Sequence, residues 1–294
     1  MGNFIGLTVG ARGNVQVSVD NETFFLKDID DPLGFFSAKR KEYTERSLAP
    51  DFPIYNYIAA DTTDNCNLRC KFCCDDWTKV TNFRMTRENF LKLVSLAEIV
   101  PNGMFFLSCL FEPFLNARFH EFLTLIPEIG KSKCFFTTNL TVKKFSANVF
   151  ENLSTANLHY INISVDSLIP KTFEYLRVNA KFEVFWENLQ NLTRVFASAA
   201  DPPRLRFISI AFKSNYDELL GLVRRSHEEF GVAQHEVRMA FEGTPEEWAE
   251  RERVTAPEWQ KLEEQLALSS FPVKIMPDGH TARYYGPTVA DLFT

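Results

Sequence analysis

From residue 54 onward, short apolar runs rich in β-branched and aromatic residues alternate with longer stretches of helical periodicity, and this alternation limits the folds open to the chain. The runs predict strands at 54–60, 103–107, 133–137, 159–165, 205–212 and 236–240, and the stretches between them predict helices at 87–99, 119–129, 143–153, 182–199 and 215–230. Strands joined by crossovers of this length pair in parallel, since antiparallel neighbours need only a hairpin. Two α/β architectures satisfy the pattern, an incomplete barrel of β/α units and a doubly wound open sheet. Periodicity alone does not choose between them.

The flanks read differently. Residues 14–27 alternate Val15, Val17 and Val19, turn at Asp20-Asn21 and continue into Thr23-Phe24-Phe25-Leu26, which predicts a β-hairpin in an N-terminal appendage over 1–50. The barrel-like pattern occupies 51–240. Beyond it, a C-terminal extension over 241–294 holds a predicted helix at 256–268 and a strand from Phe271 that runs into an Asp278-Gly279 turn. The net charge of −6 over 294 residues argues against a broad nucleic-acid surface, which needs basic residues to release counterions from phosphates. No apolar run approaches the roughly 18 residues that span a bilayer, and no leader pattern opens the chain, so a cytoplasmic location is expected. The 29 Phe residues fall mostly within predicted strands and helical stripes, where they read as core.

Six cysteines are too sparse for a disulfide framework. Three of them stand in Asp64-Asn65-Cys66-Asn67-Leu68-Arg69-Cys70-Lys71-Phe72-Cys73, a C-x3-C-x2-C loop directly after the first barrel strand. Three thiolates on one tight loop can hold three irons of a cubic cluster and leave the fourth open to a chelating ligand. Structural zinc usually asks for four ligands in two separated pairs, and no second C-x2-C follows. Cys74 abuts Cys73, so a four-thiolate zinc site would have to recruit Cys109 or Cys134. A non-catalytic, zinc-stabilised binding domain is therefore the competing class.

The cysteine loop resembles that of the radical S-adenosylmethionine (radical SAM) enzymes. The resemblance implies a partial (β/α)6 TIM-like barrel, with a 4Fe-4S cluster on Cys66, Cys70 and Cys73 and S-adenosylmethionine on the open iron. It implies reductive cleavage of that cofactor to a 5'-deoxyadenosyl radical, with an electron donor such as flavodoxin or ferredoxin. It also implies roles at successive strand ends. Phe72 takes the position of the aromatic that packs on adenine. Ser108-Cys109-Leu110-Phe111-Glu112-Pro113 resembles the family's Gly-Gly-Glu-Pro with both glycines replaced, and Glu112 would accept a hydrogen bond from the cofactor's amino group. Thr137-Thr138-Asn139-Leu140 is similar to the family's Thr-Asn-Gly, placing Asn139 on the substrate side of the cavity. Ile163-Ser164-Val165-Asp166-Ser167 resembles Ser-x-Asp; Ser164 would meet the ribose or carboxylate, and Asp166 shares its parity. Arg177, just before the long helix, would pair with the cofactor's carboxylate, which suits a planar guanidinium.

A deoxyadenosyl radical abstracts hydrogen, and little in the sequence names the carbon. No Cys follows Cys134, so the extension offers no thiolate to an auxiliary cluster. By analogy of architecture this favours a sugar, nucleoside or other small metabolite as substrate. The alternative is a peptide maturase or epimerase, with Cys109 as the thiol hydrogen donor.

Overall fold

The structure is a computed structural model that describes residues 6–10, 14–19, 22–25, 30–31, 57–75, 77–95, 104–108, 110–128, 131, 134–240, 243–277 and 282–285. Three N-terminal strands, β1 (Gly6–Gly10), β2 (Asn14–Val19) and β3 (Glu22–Phe25), form an antiparallel sheet in the order β1-β2-β3. The predicted hairpin is β2-β3, and β1 adds to its edge.

The second sheet contains β4 (Tyr57–Ala59), β5 (Met104–Phe106), β6 (Cys134–Thr138), β7 (Tyr160–Ser164), β8 (Arg204–Ala211), β9 (Gln234–Met239), β10 (Val273–Met276) and β11 (Arg283–Tyr285). Its eight strands follow sequence order, and β4 and β11 are its two edges, so the sheet does not close. Strands β4 to β10 pair in parallel and β11 returns antiparallel to β10. The open barrel of the two expected architectures is the one observed, as a partial TIM-like barrel. The strand predicted from Phe271 is β10, and it extends the parallel series beyond six.

Helices follow the strands: α1 (Arg87–Ser95), α2 (Phe119–Leu123), α3 (Ala147–Thr155), α4 (Pro170–Leu176), α5 (Phe182–Ser198), α6 (Leu219–Phe230), α7 (Glu246–Glu252) and α8 (Ala256–Ala267). Their apolar spacing explains their docking; α5 buries Phe185, Leu189, Leu192 and Phe196 on one face. Local signals set their ends. Gly231, at φ 61°, closes α6 in the left-handed conformation that costs glycine little, and Thr255 with Glu258 forms a capping box on α8. Helices α4 and α7 are additions to the sequence-based assignment. No helix among the described residues is long and apolar enough to cross a membrane.

Strand parity divides the sheet into two faces. Ile58, Phe105, Phe136, Ile161, Ile163, Phe207, Val237 and Ile275 join the helices in the main core. Their neighbours in sequence, among them Phe106, Phe135, Asn162, Arg206, Glu236 and Lys274, line a cavity of about 610 Å³ on the inner face. The chain therefore spends one face on stability and leaves the other for chemistry.

Candidate active site in the barrel

Strand β4 delivers the cysteine loop to the mouth of this cavity. The loop is tied to the end of α4 by backbone bonds, Arg69 N–H to the Val178 carbonyl at 2.9 Å and Lys71 N–H to the Leu176 carbonyl at 3.1 Å. A turn brings Cys73 N–H within 3.0 Å of the Cys70 carbonyl. Cys66, Cys70 and Cys73 are half-buried and line the cavity, whereas Cys74 is exposed at its rim. Burial pushes the Cys66 and Cys73 thiols up to about 12, and raises Cys70 as well. Such thiols stay protonated until a metal displaces the proton. Leu68 N–H and the Asn139 side-chain amide both approach Cys66 Sγ, at 3.4 and 3.6 Å.

A single zinc ion needs its thiolate donors about 2.3 Å from one point. Among the described residues, no group of three or more His, Cys, Asp or Glu side chains is arranged to hold one metal ion. The three thiols line one cavity, and three thiolates can hold a cubic cluster in which each sulfur takes a different iron.

Strand β5 leads to Glu112, which is buried at 2% exposure. Its carboxylate accepts hydrogen bonds from Phe114 N–H at 3.2 Å, Thr138 Oγ1 at 2.8 Å and Asn139 N–H at 2.7 Å. Burial raises its pKa to about 7, against the opposing pull of those three donors. A carboxylate has about four lone-pair sites, so one stays open toward the cavity that Glu112 lines. The residue thus also caps the short helical turn Pro113–Leu115, as a Glu before Pro would.

Strand β6 leads into Asn139, whose side chain ties the cysteine loop to its own turn: Nδ2 donates to Asn67 Oδ1 at 3.0 Å, and Oδ1 accepts from Thr141 N–H at 2.8 Å. It lines the cavity but is turned toward the sulfur side. Leu140 follows at φ 55°, in the left-handed region, where the resembling segment has glycine.

Strand β7 places Ser164, half-buried, on the cavity wall. Asp166 is fully buried just beyond it. Its Oδ1 accepts from Ile210 N–H at 2.9 Å and its Oδ2 lies 2.7 Å from Arg177 Nη2. Arg177 itself lines the cavity, with its guanidinium 5.7 Å above the Phe72 ring. Its Nε is buried without a hydrogen-bond partner. A buried N–H facing a cavity in this state favours an incoming acceptor. Phe72 packs on Phe212 at 4.9 Å within a cluster that includes Leu176, Ile210 and Trp248. Cys109 lies outside the described residues.

Sequence reasoning did not single out the charged group on the opposite wall. Arg206, Glu236, Arg238 and Lys274 line the cavity from β8, β9 and β10. The available signal was parity: Arg206, Glu236 and Arg238 alternate with the core residues Leu205, Phe207 and Val237. Trp248, which braces Phe72 from α7, carried no local signal.

The sequence model of the radical SAM superfamily matches residues 61–228, more than half of the chain. Among curated proteins, a GTP 3',8-cyclase of Syntrophomonas wolfei is 33% identical over 126 residues, 41% of this chain and 37% of that protein. Another GTP 3',8-cyclase, from Desulforamulus reducens, is 24% identical over 235 residues, 78% of this chain and 69% of that protein. The chain spans less than half the length of the first relatives it matches, 37% and 48%. In fold it is similar to Streptococcus suis SuiB bound to its precursor peptide SuiA, with a TM-score of 0.60 at 13% identity over 95% of this chain and 73% of that one. A radical SAM methyltransferase from Sphaerobacter thermophilus gives 0.57 at 11% identity, covering 95% of this chain and 78% of that one. With the family's cluster loop at the mouth of a matching barrel, the chain belongs to the radical SAM superfamily of enzymes, which use a 4Fe-4S cluster and S-adenosylmethionine.

Proposed function

We propose that Cys66, Cys70 and Cys73 hold the 4Fe-4S cluster, and that the enzyme uses its radical on a small molecule enclosed by the barrel. When bound, the cluster supplies the electron that cleaves S-adenosylmethionine to a 5'-deoxyadenosyl radical. The observation that carries the reading is that the three thiols, Glu112, Ser164 and Arg177 all line one cavity. Glu112 offers its remaining lone pair to the cofactor's ammonium. Arg177, fixed by Asp166, turns its Nε and guanidinium face to the carboxylate, and Ser164 supplies a hydroxyl to the same ligand. Phe72 gives the adenine an apolar surface. Asn139 acts one step away, by orienting Cys66 and closing Glu112 in place.

This chemistry belongs to the barrel, with 1–50 as an attachment; the expected boundary at 240 is too early, since β10 and β11 of 241–294 belong to the barrel sheet and Lys274 lines its cavity. A reducing cytoplasm and a donor such as flavodoxin or ferredoxin suit an oxygen-sensitive cluster. A cavity of about 610 Å³ fits a metabolite-sized substrate beneath the cofactor better than a polypeptide.

The test is anaerobic: reconstitute the protein with iron and sulfide, reduce it with dithionite, add S-adenosylmethionine and measure 5'-deoxyadenosine. Its appearance supports the reading, and deuterium transfer from labelled sugars, nucleotides and peptides then identifies the substrate class. GTP belongs in that screen because of the relatives' names. Zinc without iron or sulfide in the reconstituted protein would overturn the assignment.

A further inference from the structure

The inner wall of the cavity changes character along one continuous arc. On β5 to β7 it carries an aromatic cluster beside the polar Thr137, Asn162 and Ser164. Phe106 stacks on Phe135 at 4.4 Å, and Phe135 lies 4.5 Å from Tyr160. These rings, with Met104, form a cluster separate from the main core, and all four residues line the cavity. The Arg206 guanidinium then lies 4.6 Å from the Tyr160 ring, where the charged wall begins.

Glu236 stands at the centre of that wall. Arg206 Nη2 is 2.7 Å and Lys274 Nζ 2.9 Å from its Oε2, and Arg238 Nε contacts its Oε1. Burial works against the Glu236 charge, but Arg238, Lys274 and Arg206 overcome it and bring its pKa down to about 2. Among the described residues that line the cavity, three cations surround this one carboxylate. The other acids lining the cavity, Asp75 and Glu112, stand on the cysteine-loop side. Taking a charge out of water costs several kcal/mol per ion, and a barrel that only needed filling would be served better by apolar side chains.

A second observation sits where the two walls meet. Asn162 pairs across the sheet with Thr137 on one side and Arg206 on the other. Its Nδ2 donates to Thr137 Oγ1 at 3.1 Å, while its Oδ1 is buried with no partner, in a residue that lines the cavity at 3% exposure. Such an acceptor calls for a hydroxyl or N–H on whatever occupies the space.

We propose that this half of the cavity recognises a substrate with an oxyanion at one end and an apolar or aromatic body at the other. The oxyanion meets Arg206, Arg238 and Lys274, the body lies along Phe106, Phe135 and Tyr160, and a donor between them satisfies Asn162 Oδ1. The inference deepens the proposed function, since it names the chemical class of molecule presented to the radical. Phosphate monoesters and carboxylates share this chemistry.

Calorimetric titration of the full chain, with and without reconstituted cluster, tests it. Phenyl phosphate and 3-phenylpropionate are the two oxyanion probes, and inorganic phosphate and benzyl alcohol represent the separate halves. At least one oxyanion probe is expected to bind roughly tenfold or more tighter than either half, and Arg238→Gln and Lys274→Gln, although less stable for loss of a Glu236 partner, should each weaken it by about tenfold or more at a temperature where the variant is fully folded. Preference for phenyl phosphate assigns a phosphate ester, and preference for 3-phenylpropionate a carboxylate. Should a glutamine variant fail to fold, Arg238→Lys and Lys274→Arg keep the charge and should keep the binding. Equal binding of all four probes, or affinities untouched by every variant, overturns the proposal. The readout needs no cofactor cleavage. Deoxyadenosine formation without probe binding therefore sinks only this inference, and probe binding without deoxyadenosine sinks only the radical chemistry.

Discussion

At Glu112, loop cap and candidate cofactor ligand are the same carboxylate, and the geometry explains how one group serves both. Three protein donors hold it while a fourth lone pair faces the cavity. Glu112→Gln replaces two acceptor oxygens by one and presents an NH2 to a buried donor. We expect affinity for S-adenosylmethionine, read by equilibrium dialysis on cluster-loaded protein, to fall by roughly tenfold or more. Stability should fall by about 1–3 kcal/mol, because at least one buried donor loses its partner. The cysteines separate more sharply. Replacing Cys66, Cys70 or Cys73 by Ala should abolish the cluster absorbance after reconstitution, and Cys74→Ala should leave it intact. Cluster loss from the Cys74 variant would show that the ligand set is misassigned. The cysteine triplet was legible in the sequence as one candidate group because all three residues stand on a single loop, and the structure brings them to one cavity. Arg177 and Asp166 were legible only as separate candidates, since their mutual 2.7 Å pairing is a tertiary fact.

At the scale of elements, the alternation of apolar runs located β4 to β9, because each run is a buried strand flanked by an amphipathic helix that covers it. The pairing of β10 with β9 was not legible: α7 and α8 intervene, and nothing local tells a strand which edge it will join. The inward charges were also obscured, because Arg206 and Glu236 interrupt runs whose outward neighbours Phe207 and Val237 carry the hydrophobic signal. The turn after β6 offers a test of competing local terms. Leu140 sits in the left-handed region, which costs an L-residue roughly 1–2 kcal/mol, yet its side chain is 1% exposed in the core, and removing such a group costs about 2–5 kcal/mol. Burial wins, so Leu140→Gly and Leu140→Ala should both destabilise. Glycine elsewhere is worse than alanine by about 0.5–1 kcal/mol, but here it relieves the backbone and should match or exceed alanine in stability by chemical denaturation.

For the whole molecule, the buried titratable groups of β9 set how folding responds to acid. His235 is enclosed by Ser209 and Ser226, whose hydroxyls lie 2.8 and 3.0 Å from its ring nitrogens, and burial pushes its pKa from 6.5 down to about 3. The unfolded chain therefore binds a proton below pH 6.5 that the folded chain refuses until about pH 3, so the contribution of His235 to stability declines as pH falls through that window. Glu236 acts in the same direction at lower pH. Its folded pKa of about 2 against 4.5 makes its stabilisation complete above 4.5, and that contribution is lost as the pH approaches 2. The two windows overlap, and above pH 5 His235 is not alone: Glu112, raised by burial from 4.5 to about 7, opposes it, while His120 and His227, both lowered by burial, act with it. Between pH 7.5 and 5.5 this single histidine should lower the unfolding free energy by about 1.4 kcal/mol, one pKa unit's worth of differential protonation. Urea denaturation of cluster-free wild type and of His235→Gln at the two pH values isolates this contribution from the other groups: on going from pH 7.5 to 5.5 the change in unfolding free energy should be about 1.4 kcal/mol more favourable in the variant than in wild type, even though the variant is less stable at both. The same pH dependence in wild type and in His235→Gln would mean that the folded state protonates His235 as readily as the unfolded chain, and that strand β9 opens more easily than its packing implies.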